Sequence, residues 1–350
     1  MKPFRSTSLV LLLMLPVSLW AQDSIDAFIA DQMKQQRIVG LSLGIIKEGK
    51  IVKAAGYGKA NIEWNVPVSA QTVFKIASLS KQFIAVGIMK MIQEGTLTPE
   101  TPVSSIIKNT PESWKPITVR HLLNHTSGLP VDPPEFEGMK SLADSVYITR
   151  AFKTKLAFQP GTRFEYSNFG YYVLADIIRI ITHQPFGEYM KKNVFDPAGL
   201  NATSLTSVES IVKNRASGYM EDSSNEIHNA PNYIAVRPSG AFLSNIIDLL
   251  AWEKVMQEGK LLGNGPPNID SAEGFKTALT MDGEPIYYQY GWMLNKVGNH
   301  ILVHHGGSLP GFKSVYFRMP QEKTAIIVLI NSDQADAYQI AFGIVDLLKK

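Results

Sequence analysis

The sequence predicts an α+β protein in which one antiparallel sheet is built from both ends of the chain, is flanked by helices and carries an inserted, mostly helical lobe. Three observations support this prediction. Runs rich in β-branched and aromatic residues lie at 39–57 and again at 300–331. Apolar residues at helical spacing dominate the region between these runs. Helical patterns also occupy the two ends, at 23–36 and 335–348.

Residues 1–21 are predicted to be a signal peptide. Lys2 and Arg5 form a basic start, an apolar run follows from Val10 to Leu19, and Ala21 is suitable as the last residue before cleavage. The run is too short to span a bilayer, which needs about 20 apolar residues. We therefore expect an exported protein, periplasmic or extracellular, that is membrane-associated if the leader is retained.

The mature chain, 22–350, is predicted to form one domain with two lobes. We place the sheet lobe at about residues 22–77 and 240–350 and the helical lobe at about 78–239. The whole sequence has 45% apolar and 19% charged residues, which is typical of a globular protein with an ample core. It has no cysteine, which excludes disulfides, thiolate metal sites and a cysteine nucleophile.

The charge of the mature chain indicates no nucleic-acid partner. Loss of the leader removes Lys2 and Arg5 and lowers the formal net charge from +3 to +1. After the leader, no segment approaches the length of a membrane span. We expect a small-molecule or peptide ligand, no integral membrane span in the mature chain and no cofactor.

Two β-rich runs near the N-terminus, Val39–Ile46 and Ile51–Tyr57, are predicted to form a hairpin. The first run contains Gly40-Leu41-Ser42-Leu43-Gly44, which matches the nucleophile-elbow pattern G-x-S-x-G. That elbow requires a strand followed by a helix, whereas here a second strand follows. Ser42 is therefore predicted to be an ordinary strand residue.

Ser78-Leu79-Ser80-Lys81 is the stretch with the clearest chemical potential. It precedes a mostly apolar run, Phe83–Met91. In a helix that begins near Ser78, Lys81 lies one turn further on along the same face. A buried lysine with a lowered pKa can serve as the base that activates a serine.

The same Ser-x-x-Lys pattern occurs twice more, at Ser105/Lys108 and Ser210/Lys213. Both of these matches lie in polar, turn-rich surroundings, where an exposed helix end is the simpler interpretation. Only Ser78 opens a long apolar helix. The context therefore favours Ser78 as the candidate nucleophile.

Two histidines at i, i+4, His121 and His125, leave a metal pair as an alternative. A metalloprotease helix has Glu directly after its first His, and this chain has Leu122 there. No obvious third ligand lies nearby in the sequence. We expect two structural histidines and no metal site.

Tyr166-Ser167-Asn168 lies on a predicted loop just before an apolar helix, Phe169–Ile181. Side chains at such a position can point into a cleft. The alternative is a packed tyrosine followed by an asparagine that caps the helix.

The C-terminal third is predicted to contain a helix at Ile246–Gln257 and then three consecutive strands. The turns between the strands are expected at Gly306–Gly311 and Pro320–Lys323, before a closing helix. The strands are His300–His305, Phe312–Met319 and Thr324–Asn331, and the helix is Ala335–Leu348.

Three motifs in chain order, Ser78–Lys81, Tyr166–Asn168 and His305-Gly306-Gly307, resemble the serine β-lactamase and penicillin-binding-protein superfamily. The similarity is closest to the branch with class C β-lactamases, D-alanyl-D-alanine carboxypeptidases and related esterases. The phrase from Ile117 to Leu129 also resembles that branch, and the resemblance extends from about residue 25 to 350. It implies the two-lobed fold predicted above, with a β-lactamase-like catalytic domain at 22–350.

The resemblance also implies roles for individual residues. It makes Ser78 the nucleophile, Lys81 the group that helps to deprotonate it, and Tyr166 the group that passes the proton to the leaving group and later activates water. Asn168 is expected to bind Lys81 or the substrate amide. The oxyanion is expected to bind the backbone N–H groups of Ser78 and Ser308. His305 and Gly307, from the third motif, are expected beside Ser308 at the substrate-binding edge.

The third motif departs from the family pattern, because many relatives have Lys-Thr-Gly where this chain has His305-Gly306-Gly307. An imidazole is mostly neutral at pH 7, so it does not replace a permanent cation that holds a substrate carboxylate. Strong β-lactamase activity is therefore not expected. Since neighbouring strand residues face opposite sides, the resemblance favours His305 towards the cleft and leaves His304 a packing or surface role.

The resulting hypothesis is an exported serine hydrolase that forms an acyl-enzyme with an ester or amide. Candidate substrates are small esters, D-amino-acid peptides and peptidoglycan stem peptides. The alternative, motivated by the missing third-motif lysine, is a weakly active or inactive protein of the same fold that binds cell-wall fragments or a partner protein. Acyl transfer to an amine or alcohol would use the same residues.

Overall fold

The computed structural model describes residues 17–132, 134–136, 144–206, 209–232, 238–262, 277–279, 282–297 and 300–349. Its main sheet has nine strands in the order β3-β2-β1-β14-β13-β12-β11-β10-β9, and every pairing in it is antiparallel. The predicted α+β architecture is confirmed, because strands from both ends of the chain meet where β1 pairs with β14. The strands are β1 (Gly40–Lys47), β2 (Lys50–Asn61), β3 (Val66–Pro67), β4 (Phe74–Lys75), β5 (Ser204–Leu205), β6 (Tyr219–Glu221), β7 (Ile227–Asn229), β8 (Phe242–Ser244), β9 (Thr277–Leu279), β10 (Pro285–Gln289), β11 (Trp292–Val297), β12 (His300–Leu309), β13 (Phe312–Met319) and β14 (Thr324–Ile330).

The helices lie on both faces of the sheet and in the inserted lobe. They are α1 (Val17–Gln35), α2 (Ser80–Gln93), α3 (Val103–Ile106), α4 (Val119–Leu123), α5 (Asp144–Ala151), α6 (Asn168–Thr182), α7 (Phe186–Met190), α8 (Ile246–Gln257) and α9 (Ala337–Leu348). Helix α1 contains the apolar positions predicted for 23–36. Within the described residues, no helix is both long and apolar enough to cross a membrane. Residues 1–16 of the predicted signal peptide lie outside the described residues.

The central strands are apolar on both faces because each face is covered by helices. In β14 the residues Ile326, Val328 and Ile330 pack in one cluster with α1 and α9. The alternate residues Ile327 and Leu329 pack in a second cluster with α8 and the helical lobe. This two-residue alternation explains why β14 is a continuous apolar run, fully buried along its length.

The hairpin β1–β2 forms as predicted, through a two-residue turn. Glu48 and Gly49 both have positive φ, 52° and 76°, as a tight hairpin turn requires. Ser42 lies in the middle of β1, fully buried, and its hydroxyl donates to the Ala55 carbonyl at 3.2 Å. The prediction that Ser42 is a strand residue is confirmed.

The start of the nucleophile helix differs from the prediction. Ser78 lies in a single 3-10 turn, Ala77–Leu79, and the α-helix begins only at Ser80. Ala77 has φ of 51°, a left-handed conformation that is strained for a residue with a Cβ. Because of this kink the chain passes directly from β4 into the turn, and Ser78 stands before the helix instead of within it.

The turn predicted at Gly306–Gly311 is wrong in its first half. Strand β12 continues to Leu309, with Gly306 opposite Val315 and Gly307 opposite Ser314. A Cβ on Gly307 would lie 2.6 Å from the Ile76 carbonyl oxygen. Gly307 therefore lets the backbone of β12 pass close to the backbone at Ile76. The glycines at this position belong to a strand, although glycine-rich sequences more often form turns.

Other short strands were also not predicted. Strands β5, β6 and β7 fall within 201–238, where no strand was predicted, and β9–β11 precede the three predicted strands of the C-terminal third. The helix predicted at Ile246–Gln257 and the strand predicted at Phe312–Met319 have those bounds in the structure. In α6 the capping residue is Ser167, whose Oγ accepts from the Gly170 N–H at 3.0 Å, so the asparagine-cap alternative is wrong.

A buried charge cluster joins α8 to the sheet. The Arg318 Nε donates to the Glu253 carboxylate at 2.7 Å, and the two side chains are each 1% exposed. The Tyr316 hydroxyl donates to the same carboxylate oxygen at 2.6 Å. A buried charge that loses its partner is strongly destabilising, so this cluster constrains how the helix sits on the strands.

Replacing one member of the buried pair is therefore expected to cost far more than replacing a surface ion. We predict that Arg318→Met lowers the free energy of unfolding by about 3–5 kcal/mol. Lys191→Met, which breaks the exposed pair with Asp196, should change it by less than about 1 kcal/mol. Urea unfolding followed by circular dichroism measures both. If the double variant Glu253→Gln/Arg318→Met is more stable than Arg318→Met alone, the charge explanation is supported. Equal losses of unfolding free energy in Arg318→Met and Lys191→Met would contradict it.

Candidate active site

The predicted site residues from three separate parts of the chain line one cavity of about 560 Å³. The 3-10 turn before α2 carries Ser78, the segment that enters α6 carries Tyr166 and Asn168, and β12 carries the third-motif residues. Those from β12 are His305, Gly307 and Ser308, together with Gly306. The cavity lies where the sheet meets the helical lobe.

Lys81 lies beneath this cavity and is fully buried. Its Nζ is 2.8 Å from Asn168 Oδ1, 3.0 Å from the Ser239 carbonyl oxygen and 3.3 Å from Ser78 Oγ. A neutral amine has two N–H groups and one lone pair. The two carbonyl oxygens can accept both N–H groups, which leaves the lone pair for the Ser78 hydroxyl.

Burial also determines the charge of Lys81. Loss of hydration lowers the pKa of its ammonium from 10.5 to about 7, and the Asp132 carboxylate opposes this shift only in part. A large share of the protein therefore holds Lys81 as a free amine at neutral pH. A free amine in contact with a serine hydroxyl has the properties of a general base.

Tyr166 is placed beside the same lysine, with Lys81 Nζ 4.8 Å from the centre of its ring. Burial raises the pKa of the Tyr166 phenol, and a hydrogen bond with the Ser78 side chain opposes the rise. In the structure burial dominates, so Tyr166 is a neutral phenol that can donate a proton.

Asn168 connects Lys81 to an exposed carboxylate, that of Asp132. Its Oδ1 accepts from Lys81, and its Nδ2 donates to Asp132 Oδ1 at 2.9 Å. This pair of contacts fixes which end of the amide faces the lysine. Asp132 is exposed, and no sequence motif had indicated it.

His305 points towards the cavity, as the resemblance favoured, but both ring nitrogens are engaged. Its Nδ1 donates to the Gly306 carbonyl oxygen at 2.6 Å, so Nε2 is the acceptor for the Tyr288 hydroxyl at 3.0 Å. Burial and the nearby Lys81 lower the pKa of His305 to about 3. The imidazole is neutral, and neither nitrogen is free to bind a substrate carboxylate.

His304 faces the opposite side of β12. Its two ring nitrogens lie 3.3 Å from the Tyr338 hydroxyl and 3.1 Å from Asn295 Oδ1. It therefore has the packing role that strand alternation predicted for it.

His125 is a residue whose importance the sequence did not indicate. It is buried, with φ of 58°, and its carbonyl oxygen accepts from the Glu165 N–H at 3.0 Å. Its Nδ1 accepts from the Ser167 N–H at 3.1 Å, and its ring lies 4.4 Å from that of Tyr166. His125 thus holds the segment on both sides of Tyr166.

His121, the first histidine of the His121/His125 pair, hydrogen-bonds to the start of its own helix. His121 Nδ1 accepts from the Thr118 N–H at 3.2 Å and closes a capping box on α4. Among the described residues, one group of potential metal ligands lies close together: Asp222, Glu226 and His228, all exposed on the β6–β7 hairpin. None of these three lines the cavity that contains Ser78.

Comparison with known proteins gives relatives that match most of the chain. Protein flp of Staphylococcus aureus (strain COL) is 30% identical over 322 residues, which cover 89% of this chain and 63% of that protein. Penicillin-binding protein 4* of Bacillus subtilis (strain 168) is 28% identical over 314 residues, covering 84% of this chain and 68% of that one. The chain thus spans less than two thirds of the length of the Staphylococcus relative.

Solved structures share the fold. The octameric penicillin-binding protein homologue from Pyrococcus abyssi has a TM-score of 0.82 at 27% identity, over 94% of this chain and 78% of that one. D-amino acid amidase from Ochrobactrum anthropi SV3, complexed with D-phenylalanine, has a TM-score of 0.80 at 22% identity, over 94% and 99% of the two chains. The Beta-lactamase family model matches residues 25–348. The chain therefore belongs to the β-lactamase family, the superfamily of serine β-lactamases and penicillin-binding proteins.

Proposed function

We propose that this protein is a serine hydrolase that acts on esters or amides through an acyl-enzyme at Ser78. The observation that carries the proposal is the contact between Lys81 Nζ and Ser78 Oγ, 3.3 Å apart, with two other acceptors, Asn168 Oδ1 and the Ser239 carbonyl oxygen, within hydrogen-bond distance of the same nitrogen. A binding protein of the same fold would have no need for a fully buried lysine of lowered pKa beside a half-buried serine.

The proposed reaction uses Lys81 and Tyr166 in turn. Lys81 removes the Ser78 proton as Oγ attacks the substrate carbonyl carbon, and the backbone N–H groups of Ser78 and Ser308 bind the oxyanion. Tyr166 donates its phenolic proton to the leaving nitrogen or oxygen as the bond breaks, and Lys81 returns a proton to Tyr166. Water then attacks the acyl-enzyme, loses its proton to the same pair, and Ser78 regains its hydrogen.

The substrate class is proposed from the charge at the cavity edge. His305 is neutral and has both nitrogens engaged, so the third motif offers no cation to a terminal carboxylate. Lys313 lines the cavity, but its ammonium is 3.3 Å from the Asp333 carboxylate and 2.7 Å from Ser308 Oγ. We therefore favour small esters and amides, including D-amino-acid amides as in the structural relative, over peptides with a free carboxylate and over β-lactams.

We also propose the organisation expected from the sequence. Residues 1–21 act as the export signal, so that the enzyme works outside the cytoplasm on small-molecule or peptide substrates. The sheet lobe, about 22–77 and 240–350, and the helical lobe, about 78–239, form the two walls of the catalytic cleft. The position of the cavity at their junction supports this division.

A fluorophosphonate tests the proposed nucleophile directly. We predict one covalent adduct on the wild-type protein, mapped to Ser78 by peptide mass spectrometry and absent in Ser78→Ala. Lys81→Met should slow the labelling about a hundredfold or more, because the base is lost. Ser105→Ala is the matched control, since Ser105 belongs to an exposed Ser-x-x-Lys sequence, and it should label as the wild type does. Absence of any adduct on folded protein would favour the binding-protein alternative.

The role of Tyr166 as proton donor can be tested through His125. His125→Phe keeps an aromatic ring but removes the acceptor for the Ser167 N–H, so Tyr166 should be less well placed. We predict that kcat for an amide falls about tenfold, which equals about 1.4 kcal/mol. The kcat/KM for a p-nitrophenyl ester, which reports acylation and not the later attack of water, should fall much less, because that leaving group needs no proton.

The control for this prediction is His125→Asn, whose Oδ1 can still accept from the Ser167 N–H. It should recover part of the amide activity. Equal losses on amide and p-nitrophenyl ester in both variants would indicate a general structural defect and contradict the positioning role.

A further inference from the structure

We propose that Asp132 is a positioning residue of the active site: it holds the Asn168 amide against Lys81 and places a negative charge one amide group away from that lysine. The proposal rests on the proposed function, because it concerns the group that acts there as the base. It adds a residue that sets the pH range in which this base works.

The segment before Asp132 is tied to the start of α6 by two hydrogen bonds. Ser167 Oγ donates to the Pro130 carbonyl oxygen at 2.7 Å, and the Phe169 N–H donates to the Val131 carbonyl oxygen at 3.1 Å. The segment and the start of the helix therefore lie side by side. This arrangement places Asp132, an exposed residue, beside the helix start.

The Asn168 side chain connects the carboxylate to the base. Its Oδ1 accepts from Lys81 Nζ at 2.8 Å, and its Nδ2 donates to Asp132 Oδ1 at 2.9 Å. An ionised carboxylate can only accept hydrogen bonds, so it selects the NH2 end of the amide and leaves the amide oxygen for the lysine. Asp132 thus keeps in place one of the acceptors that direct the Lys81 amine towards Ser78.

The titratable groups that face Lys81 from the other described elements are neutral at pH 7. The rings of Tyr166 and Tyr171 have their centres 4.8 and 5.5 Å from Lys81 Nζ, and burial raises the pKa of both phenols. His125 and His305 also interact electrostatically with the lysine, and burial lowers the pKa of both imidazoles. None of these four groups brings a negative charge to the ammonium.

Asp132 supplies the negative charge that these neighbours lack. An exposed aspartate is ionised at neutral pH, and a negative charge near a buried amine favours its ammonium form. Burial lowers the pKa of Lys81, and the Asp132 carboxylate opposes this shift. Asp132 therefore makes Lys81 a stronger base and stabilises the ammonium that forms when Lys81 takes the Ser78 proton.

Two substitutions separate the charge of Asp132 from its hydrogen bond. Asp132→Asn keeps an oxygen that can accept from Asn168 Nδ2 but removes the charge, whereas Asp132→Ala removes both. The first readout is an NMR titration of Lys81 at low ionic strength, where an exposed charge is screened least. In Asp132→Asn the midpoint should lie below that of the wild type by at least about 0.5 on the pH scale, because the charge that favours the ammonium is absent.

The pH profile of kcat/KM for an amide is the second readout. The free amine of Lys81 is the active form, so kcat/KM rises as the pH rises through the Lys81 midpoint. In Asp132→Asn this rise should move to lower pH, and the plateau should fall because a weaker base remains. In Asp132→Ala the plateau should be about tenfold lower again, because the Asn168 amide is no longer held.

Glu135→Gln is the matched control. Glu135 is an exposed carboxylate three residues further along the chain, and it lies 3.2 Å from Arg150. This variant loses the same charge as Asp132→Asn but has no contact with Asn168. It should keep the wild-type midpoint and the wild-type pH profile.

An unchanged Lys81 midpoint in folded Asp132→Asn would overturn the proposal, and so would an equal change in Glu135→Gln. A rise of KM confined to substrates with an ammonium group, at an unchanged midpoint, would make Asp132 a substrate-binding residue and would also overturn it. The titration needs no turnover. It therefore shows whether Asp132 acts on Lys81 even if Ser78 proves unreactive and the proposed function fails.

Discussion

The burial of the Lys81 ammonium is the constraint on which the rest of the site depends. A fully buried lysine loses its hydration, and only hydrogen-bond acceptors placed around it make its position tolerable. Two acceptors come from distant parts of the chain, Asn168 at the start of α6 and the Ser239 carbonyl before β8. Each must be in place for the amine to face Ser78. The position of the base therefore depends on both the start of α6 and the segment before β8 being correctly placed around Lys81.

Two features of the fold place Lys81 and Ser78: the backbone of β12 passes close to that of Ile76, and helix α2 is packed in the core. Gly307 lets β12 come near the Ile76 carbonyl, and the strained Ala77 turns the chain so that Ser78 stands at the cavity. Helix α2, buried along most of its length, holds the lysine from below. Strain at Ala77 is sustainable because the surrounding core fixes both ends of the turn.

The sequence was informative where chemistry and local periodicity coincide. The spacing of Ser78 and Lys81, together with the apolar run behind them, predicted their contact. The family resemblance predicted that His305 faces the cleft, and strand alternation then placed His304 on the opposite side. The extension of β12 through Gly306 could not be predicted, because the local sequence Gly-Gly-Ser is typical of a turn. It forms a strand here because these residues pair with β13.

Other parts of the site depend on contacts between distant residues and leave no local pattern. The Ser239 contribution is a backbone carbonyl, so no side chain marks it in the sequence. His125 was assigned a structural role, and its hold on the Tyr166 segment depends on contacts with residues 40 or more positions away along the chain.

The most direct test of the central claim is an NMR titration of Lys81, with 13C-labelled lysine side chains and Lys81→Met for assignment. A midpoint near pH 7 is expected, with the amine neutral above it. A midpoint close to the ordinary lysine value of 10.5 would contradict the claim that burial makes Lys81 the base.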